Sequence, residues 1–511
     1  MNIGIDLGTS NTVVSWMNIF GSIEFLKFDD GSVLLPSCIY SQKGKIIAGS
    51  EAAAMSEKNP KNFISCSKVY MDDRQKIWTL DGLRFRPDDV AFEILKKVKK
   101  ALMTRFPDEK EFNAVLTVPA KFSEDAVRRT ADALKRSGIG LKEIIKEPVA
   151  AVLAYYDESF DVGDIVYVID FGGGTTDTAL VKITSPDKLS VIAAAGDRHL
   201  GGKDLDDIIY RMVMTQLRSC CGQDLLDETT TWGVSRRSIC SRVRQMSGEI
   251  KKELYKSCIS QPDKPVERTD EKICSICEHT DTCSLGGQFS FSISYDEYET
   301  QAREIFDRLV RLITDDLSVF AESSVSIEDV DHVLFAGGMC TDIYLQQFVR
   351  RVFDNSDIIF ASDEEDDEKY LTVIARGAGI KACDDRIHIV NKLVNSIGVL
   401  CRRDNNEMYI DPVIKSCADI DESFVSRHTY TNSSRFETEM AFEIYEYSGD
   451  PDDLRDTEYR KLGVLVFNDI IPADKGCQRI EAEFTFDSDG LMCISAYDRI
   501  NGRNIRAALK I

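Results

Sequence analysis

The chain has 511 residues, with 86 acidic against 63 basic side chains and a formal net charge of −23. That length suggests roughly two to four domains, and the acidic balance argues against nucleic acid or an anionic membrane as partner, because both are held by basic surfaces. No apolar stretch approaches the roughly 20 residues of a membrane span. The opening residues read as a strand, so no signal peptide is expected, and the fifteen cysteines, many in apolar segments (Cys38, Cys340, Cys493), are expected as reduced thiols in a cytoplasm.

In chain order, an apolar strand from Asn2 to Leu7 delivers Asp6, then Gly8, Thr9, Ser10 and Asn11, and a second β-branched run follows from Thr12 to Trp16. Apolar residues at helical spacing (Ala91, Ile94, Leu95, Val98, Leu102) predict a helix over 88–105. A buried strand is expected at Ala114 to Val118 and a helix capped by Ser123. In Ile144 to Tyr156, Pro148 belongs in a first helical turn, which places Glu147 at a helix mouth. There it acts in chemistry or simply complements the helix dipole.

The opening phrase is then written again. The strand Ile165 to Phe171 delivers Asp170, followed by Gly172, Gly173, Gly174, Thr175 and Asp177 and a run from Thr178 to Ile183. Each copy predicts a hairpin whose glycine-rich tip brings backbone N–H groups close to a ligand, an arrangement that binds anions. A carboxylate beside a phosphate chain is suited to a hard cation such as Mg²⁺, and the pair reads as an ATP clamp. No P-loop pattern and no dinucleotide fingerprint occur.

Helices are expected at Lys203 to Leu217, Arg242 to Lys256, Tyr295 to Phe320, Thr341 to Phe353 and Leu371 to Ala382, and the alternation with strands indicates an α/β fold. After the strand Val330 to Phe335, Gly337 and Gly338 either admit a flat ligand such as adenine or form a tight turn without one. From about Val394 to Ile511, short alternating runs separated by turn residues predict an antiparallel sandwich. The expected organisation is an α/β domain over 1–383 with lobes of about 1–164 and 165–383, a linker over 384–393, and a β-sandwich over 394–511. The cluster Cys274, Cys277, His279 and Cys283 is a complete ligand set for zinc, but its spacing is tight, so free thiols or a redox pair remain alternative readings. The acidic run 363–368 reads as a solvated loop.

The motifs Gly4-Ile5-Asp6-Leu7-Gly8-Thr9, Val118-Pro119-Ala120, Glu147-Pro148-Val149-Ala150-Ala151, Asp170-Phe171-Gly172-Gly173-Gly174-Thr175, Asp197-Arg198-His199-Leu200-Gly201-Gly202 and Gly337-Gly338 resemble the heat-shock protein 70 family, the DnaK-like chaperones. The run Gly463 to Phe467, Ile470 to Gly476 and Ile480 to Gly490 resembles that family's peptide-binding sandwich. The resemblance implies a two-lobed actin-like ATPase joined to an all-β module that grips extended apolar peptides. It assigns Asp6 and Asp170 to a hydrated Mg²⁺, and Gly8, Thr9, Ser10, Asn11 and Gly172 to Gly174 to the phosphates of ATP or ADP. Thr175 and Asp177 would stand beside the γ-phosphate. Lys68 matches the family's catalytic lysine and Glu147 its acidic partner. Gly201, Gly202, Lys251, Lys252, Gly337 and Gly338 would flank the nucleoside, and Val399, Phe442 and Ile444 are candidate groove positions. A J-domain co-chaperone and a nucleotide-exchange factor are the implied partners.

The chain departs from the family where Lys203 replaces an acidic residue, where Met339 and Thr341 stand in place of a serine and an adenine-stacking arginine, and in a polar joint at 384–392. These departures predict weakened adenine binding and altered coupling. No helical lid is expected after the final strand, and fast peptide release is expected with that. A peptide-binding or sensor module with uncoupled ATPase is the alternative function. An actin-like filament protein or sugar kinase is disfavoured, because neither accounts for the sandwich.

Overall fold

A computed structural model of the chain describes residues 1–511 apart from 57–58, 198–199, 222–232, 261–263, 272, 274–287, 323–324, 362–368, 393–395, 404, 406, 416–418, 421–423, 449, 455–456, 469, 478, 487–491, 501 and 510–511. The zinc-candidate cluster Cys274, Cys277, His279 and Cys283 and the acidic run at 363–368 therefore lie outside the described residues. The chain divides into two compact units, one formed by 1–186 with 194–387 and the other by 187–193 with 388–511.

In the first unit, the strand Asn2–Leu7 lies parallel to Asn113–Val118 on one side and antiparallel to Asn11–Met17 on the other, with Asp6 opposite Val13. Gly140–Lys146 and Ile23–Phe25 extend the sheet outward. The second sheet repeats this plan. Ile165–Phe171 is parallel to His332–Ala336 and antiparallel to Thr176–Ser185, with Asp170 opposite Asp177. The repeated phrase in the sequence is thus a repeated strand geometry, and each copy sets its Asp at the carboxyl end of a central strand. The helix Pro87–Arg105 buries Val90, Ala91, Ile94, Leu95, Val98 and Leu102, the stripe that its periodicity predicts. Ser123 caps the helix Glu124–Arg136, its hydroxyl accepting from the Ala126 N–H at 3.3 Å.

One boundary is corrected. The helix Val373–Cys383, assigned by chain order to the second lobe, packs on the strands Asn2–Leu7 and Asn11–Met17 and along the helix Glu147–Ser159 of the first. Glycine makes that approach possible, because a Cβ on Gly377 would collide with the Ala150 carbonyl and one on Gly4 with the backbone of Gly379. Ser15 Oγ adds a hydrogen bond to the Ala375 carbonyl. Periodicity reports that a helix has a buried face, but it does not say which sheet covers that face.

The second unit holds two four-stranded sheets. One sheet runs Met408–Ile414, Ser396–Arg402, Glu439–Ser448, Glu458–Asn468, and the other Val425–Thr431, Arg479–Phe486, Met492–Asp498, Asn504–Leu509. Their inner faces share a core of Ile397, Val399, Phe442, Ile444, Phe467 and Phe484 with their neighbours. This corrects the groove expectation, since Val399, Phe442 and Ile444 are at most 3% exposed. Strand alternation turns them inward, while the exposed apolar side chains among the described residues of this unit include Phe436, Tyr459, Val464, Val466 and Ile471. The expected linker also differs. His388–Lys392 is a strand, and His388, Ile389 and Val390 pair in parallel with Lys188, Leu189 and Ser190 of this same unit.

At one edge of the sandwich a polar chain joins a strand of each sheet. The His428 ring contacts Asp411 Oδ2 through Nδ1 at 2.9 Å and Ser426 Oγ through Nε2 at 3.0 Å. The Ser426 hydroxyl donates to the Val413 carbonyl at 2.8 Å, and the Tyr430 hydroxyl donates to Asp411 at 3.0 Å. Ser426, His428 and Tyr430 alternate along one strand and so share its inward face.

Candidate nucleotide site

The tips of the two hairpins meet within the first unit. A Cβ on Gly173 would strike Ser10 Oγ, and one on Gly174 would come within 2.7 Å of Thr9 Cγ2. Gly172 N–H donates to the Thr175 carbonyl at 2.9 Å, which closes the second tip as a tight turn. A third glycine segment completes the wall. The N–H groups of Gly202 and Lys203 donate to the carbonyls of Gly172 and Gly173 at 3.0 and 2.8 Å, and a Cβ on Gly201 would lie 2.6 Å from the backbone of Gly174. These contacts bring Thr9, Ser10, Gly172 to Gly174, Thr175, Gly201 and Gly202 together, while Gly8 lies within the first tip, where a Cβ would come 2.3 Å from the Asn11 carbonyl oxygen. Asn11 opens the second strand of the first hairpin.

Lys68 enters from a short 3₁₀ turn, Ser67–Tyr70, preceded by Cys66 in the left-handed region at φ 53°. Its ammonium pairs with Glu147, and both residues are only 6% exposed. Glu147 is the first residue of the helix Glu147–Ser159, with Pro148 next, as expected at a helix start. The helix-dipole reading of Glu147 is therefore not its whole role, because the carboxylate also neutralises a buried lysine. Burial alone pulls the Lys68 ammonium down, but the charges of Glu147 and Asp6 outweigh it and the pKa is raised. The ammonium also stands 5.9 Å from the centre of the Phe122 ring.

Three carboxylates crowd this lysine. Asp6 is pushed up to about 7 by burial and by the Glu147 charge, against the opposing pull of Lys68 and of the Thr117 hydroxyl that donates to it at 3.1 Å. Asp177 is likewise pushed up to about 7 by burial and then Glu147, although the Ala120 N–H donates to it at 3.0 Å. Burial raises Asp170 well above the ordinary carboxylate range, and Glu147, Asp177 and Asp6 add to the effect. Such a cluster carries more negative charge than one lysine can neutralise, which is the condition that a divalent cation relieves.

On the far side, Gly337 adopts φ 83° at the end of the strand His332–Ala336, where a Cβ would lie 2.5 Å from Asp170 Oδ1. Lys251, expected beside the nucleoside, is committed to the Gly202 carbonyl at 2.8 Å and to Asp206 at 2.6 Å, whereas Lys252 is exposed. Gly338 is half-buried in the same turn. Sequence reasoning missed Thr117, Asp206, Tyr255 and Asp342. Thr117 is a polar residue inside an apolar strand, and Tyr255 falls four residues after Lys251, one turn along the same helix face. Those are the signals by which both were legible. Asp342 caps the helix Ile343–Val352 through the Leu345 N–H at 3.1 Å, and burial pushes it up to about 6.

Two glycine-tipped hairpins thus converge beside a cluster of buried acids and one buried lysine in a two-sheet α/β unit. The chain matches the family described as Hsp70 protein over residues 2–510, and it belongs to that family. It is 28% identical to the chaperone protein DnaK of Thermotoga neapolitana, over 98% of this chain and 79% of that one. It is 26% identical to the mitochondrial-type heat shock protein 70 of Encephalitozoon cuniculi over 98% and 81%, and 25% identical to the DnaK of Buchnera aphidicola over 99% and 78%. Among the described residues no helix is long and apolar enough to cross a membrane, and eight cysteines carry free thiols.

Proposed function

We propose that this chain is an ATP-dependent chaperone: it hydrolyses ATP to ADP and phosphate at the meeting point of the two hairpins and uses the cycle to bind and release apolar segments of unfolded polypeptides. The observation that carries the reading is the buried Lys68–Glu147 pair set against Asp6, Asp170 and Asp177 beneath the glycine tips. Mg²⁺ fits this site on the same ground, since the acids are held above their ordinary range by burial and by one another. Among the described residues no three acidic, histidine or cysteine side chains could hold one ion, so Asp6 and Asp170 would hold the ion through waters, which Mg²⁺ keeps readily. When bound, the ion neutralises phosphate charge.

The protein's own groups account for the rest. Glycine-tip N–H groups position the phosphate chain, Thr175 and Asp177 orient water beside it, and Lys68 stabilises charge that develops in the transition state. Glu147 and Phe122 hold the lysine in place. Clients, a J-domain co-chaperone, a nucleotide-exchange factor and a cytoplasmic location belong to this proposal through the family. The test is Mg²⁺-ATP turnover with and without a saturating apolar heptapeptide. Faster turnover with peptide supports the coupled chaperone, and turnover indifferent to peptide favours a peptide-binding or sensor module.

A further inference from the structure

The strand Asn113–Val118 is central in its sheet and buried from Ala114 onward, so a branched apolar residue would suit any of those positions. Thr117 departs from that pattern although it is fully buried. A buried hydroxyl needs a partner, and this one donates to Asp6 Oδ1 at 3.1 Å. Register explains the meeting. Leu116 lies opposite Ile5 in the parallel pair, so the next residue, Thr117, falls beside Asp6 at the carboxyl end of the strand. The branched Cβ of threonine leaves the hydroxyl few directions to take. The second oxygen of the same carboxylate faces the glycine tip, since Asp6 Oδ2 lies 3.8 Å from the position a Cβ on Gly8 would take. In the second copy of the repeat, the residue opposite Asp170 on the neighbouring parallel strand is Ala336, which has no hydroxyl to give. The two acids of the repeated phrase are therefore held differently.

We infer that Thr117 is a positioning residue for the ion site: by engaging Asp6 Oδ1 it fixes the carboxylate with Oδ2 turned to the first glycine tip and left for the hydrated ion. This rests on the reading of the site as a Mg²⁺-nucleotide clamp, and it assigns a task to a residue that touches neither phosphate nor metal in that reading. Mg²⁺ demands near-ideal octahedral geometry, so a carboxylate free to swing binds its waters less well. A hydrogen bond that orients a ligand from behind is worth about 10–100-fold in metal affinity. Valine has the shape of threonine and would fill the strand equally well, so the hydroxyl is the part of Thr117 that serves the ion.

The test is ADP binding to the full chain, titrated with Mg²⁺ and repeated in excess chelator, for wild type, Thr117→Val and Thr117→Ser. Thermal melts of the ligand-free proteins confirm that each variant is folded, and Thr117→Ala replaces Thr117→Val if the valine variant is not. The expected result is that Thr117→Val needs about 10–100-fold more Mg²⁺ for half of the metal-dependent gain in ADP affinity. Its ADP affinity in chelator is that of the wild type, and Thr117→Ser, which keeps the donor, restores the wild-type Mg²⁺ requirement. An unchanged Mg²⁺ requirement in folded Thr117→Val overturns the inference while leaving the clamp standing. Weaker ADP binding by the same factor in chelator also overturns it, because the hydroxyl would then be shaping the pocket rather than the ion site. Wild-type protein that binds no ADP, or binds it with no response to Mg²⁺, removes the clamp itself, and this inference with it.

Discussion

Replacing Lys68 by Ala separates its structural from its chemical role. Lys68 and Glu147 are each 6% exposed, so removing the ammonium leaves a carboxylate buried without its counter-charge, a loss of about 3–5 kcal/mol. The first unit holds about 380 residues. With an unfolding entropy near 2.1 cal/mol/K per residue, that loss lowers its melting temperature by about 4–6 °C. Turnover falls by about 10²–10³, the usual effect of deleting one group aimed at transition-state charge. The double variant Lys68→Met with Glu147→Leu replaces the pair by apolar groups of similar length and recovers stability to within about 1 kcal/mol. Its turnover stays as low as that of Lys68→Ala. Differential scanning calorimetry and phosphate release measure the two effects on the same preparations. Retained turnover in Lys68→Ala, or a double variant as unstable as the single one, would refute the reasoning.

Three further outcomes are expected. Asp6 and Asp177 have folded pKa values of about 7, well above the ordinary 3.8. A raised acid contributes stability below its unfolded pKa and loses it as pH rises through the folded one. The ligand-free protein is therefore expected to melt progressively lower from pH 4 to 8, and Asp177→Asn to flatten that slope; an unchanged slope in thermal melts counts against it. Gly377→Val drives a branched side chain into the Ala150 carbonyl and destabilises the first unit by about 3 kcal/mol, read as a lower urea midpoint. His428→Ala leaves Asp411 and Ser426 each short of a partner and lowers the stability of the sandwich by about 2 kcal/mol in the same assay, with no change in nucleotide affinity.

The elements that position the site were the most legible in the sequence, because each is declared by local chemistry. Asp-Gly phrases end apolar strands, Ser123 caps a helix, and Pro148 marks a first turn. All three occur where their residues place them. What escaped was tertiary. The return of Val373–Cys383 to the first sheet depends on a close approach that only the pairing of Gly377 with Ala150 and Gly4 with Gly379 reveals. The polar segment at 388–392 reads as a joint until a partner strand is known. Val399, Phe442 and Ile444 alternate correctly for either face of a strand, and only the opposing sheet decides that they fill a core. Tyr255 looks like any helical aromatic until Met339 and Tyr298 are found against it.

The most direct test of the central claim is a single-turnover measurement with protein in excess over Mg²⁺-ATP. The account predicts that wild-type protein converts bound ATP to ADP and phosphate, while Lys68→Ala binds the nucleotide and holds it intact. ATP that persists unhydrolysed on the wild-type protein, or phosphate formed equally fast by Lys68→Ala, would contradict it.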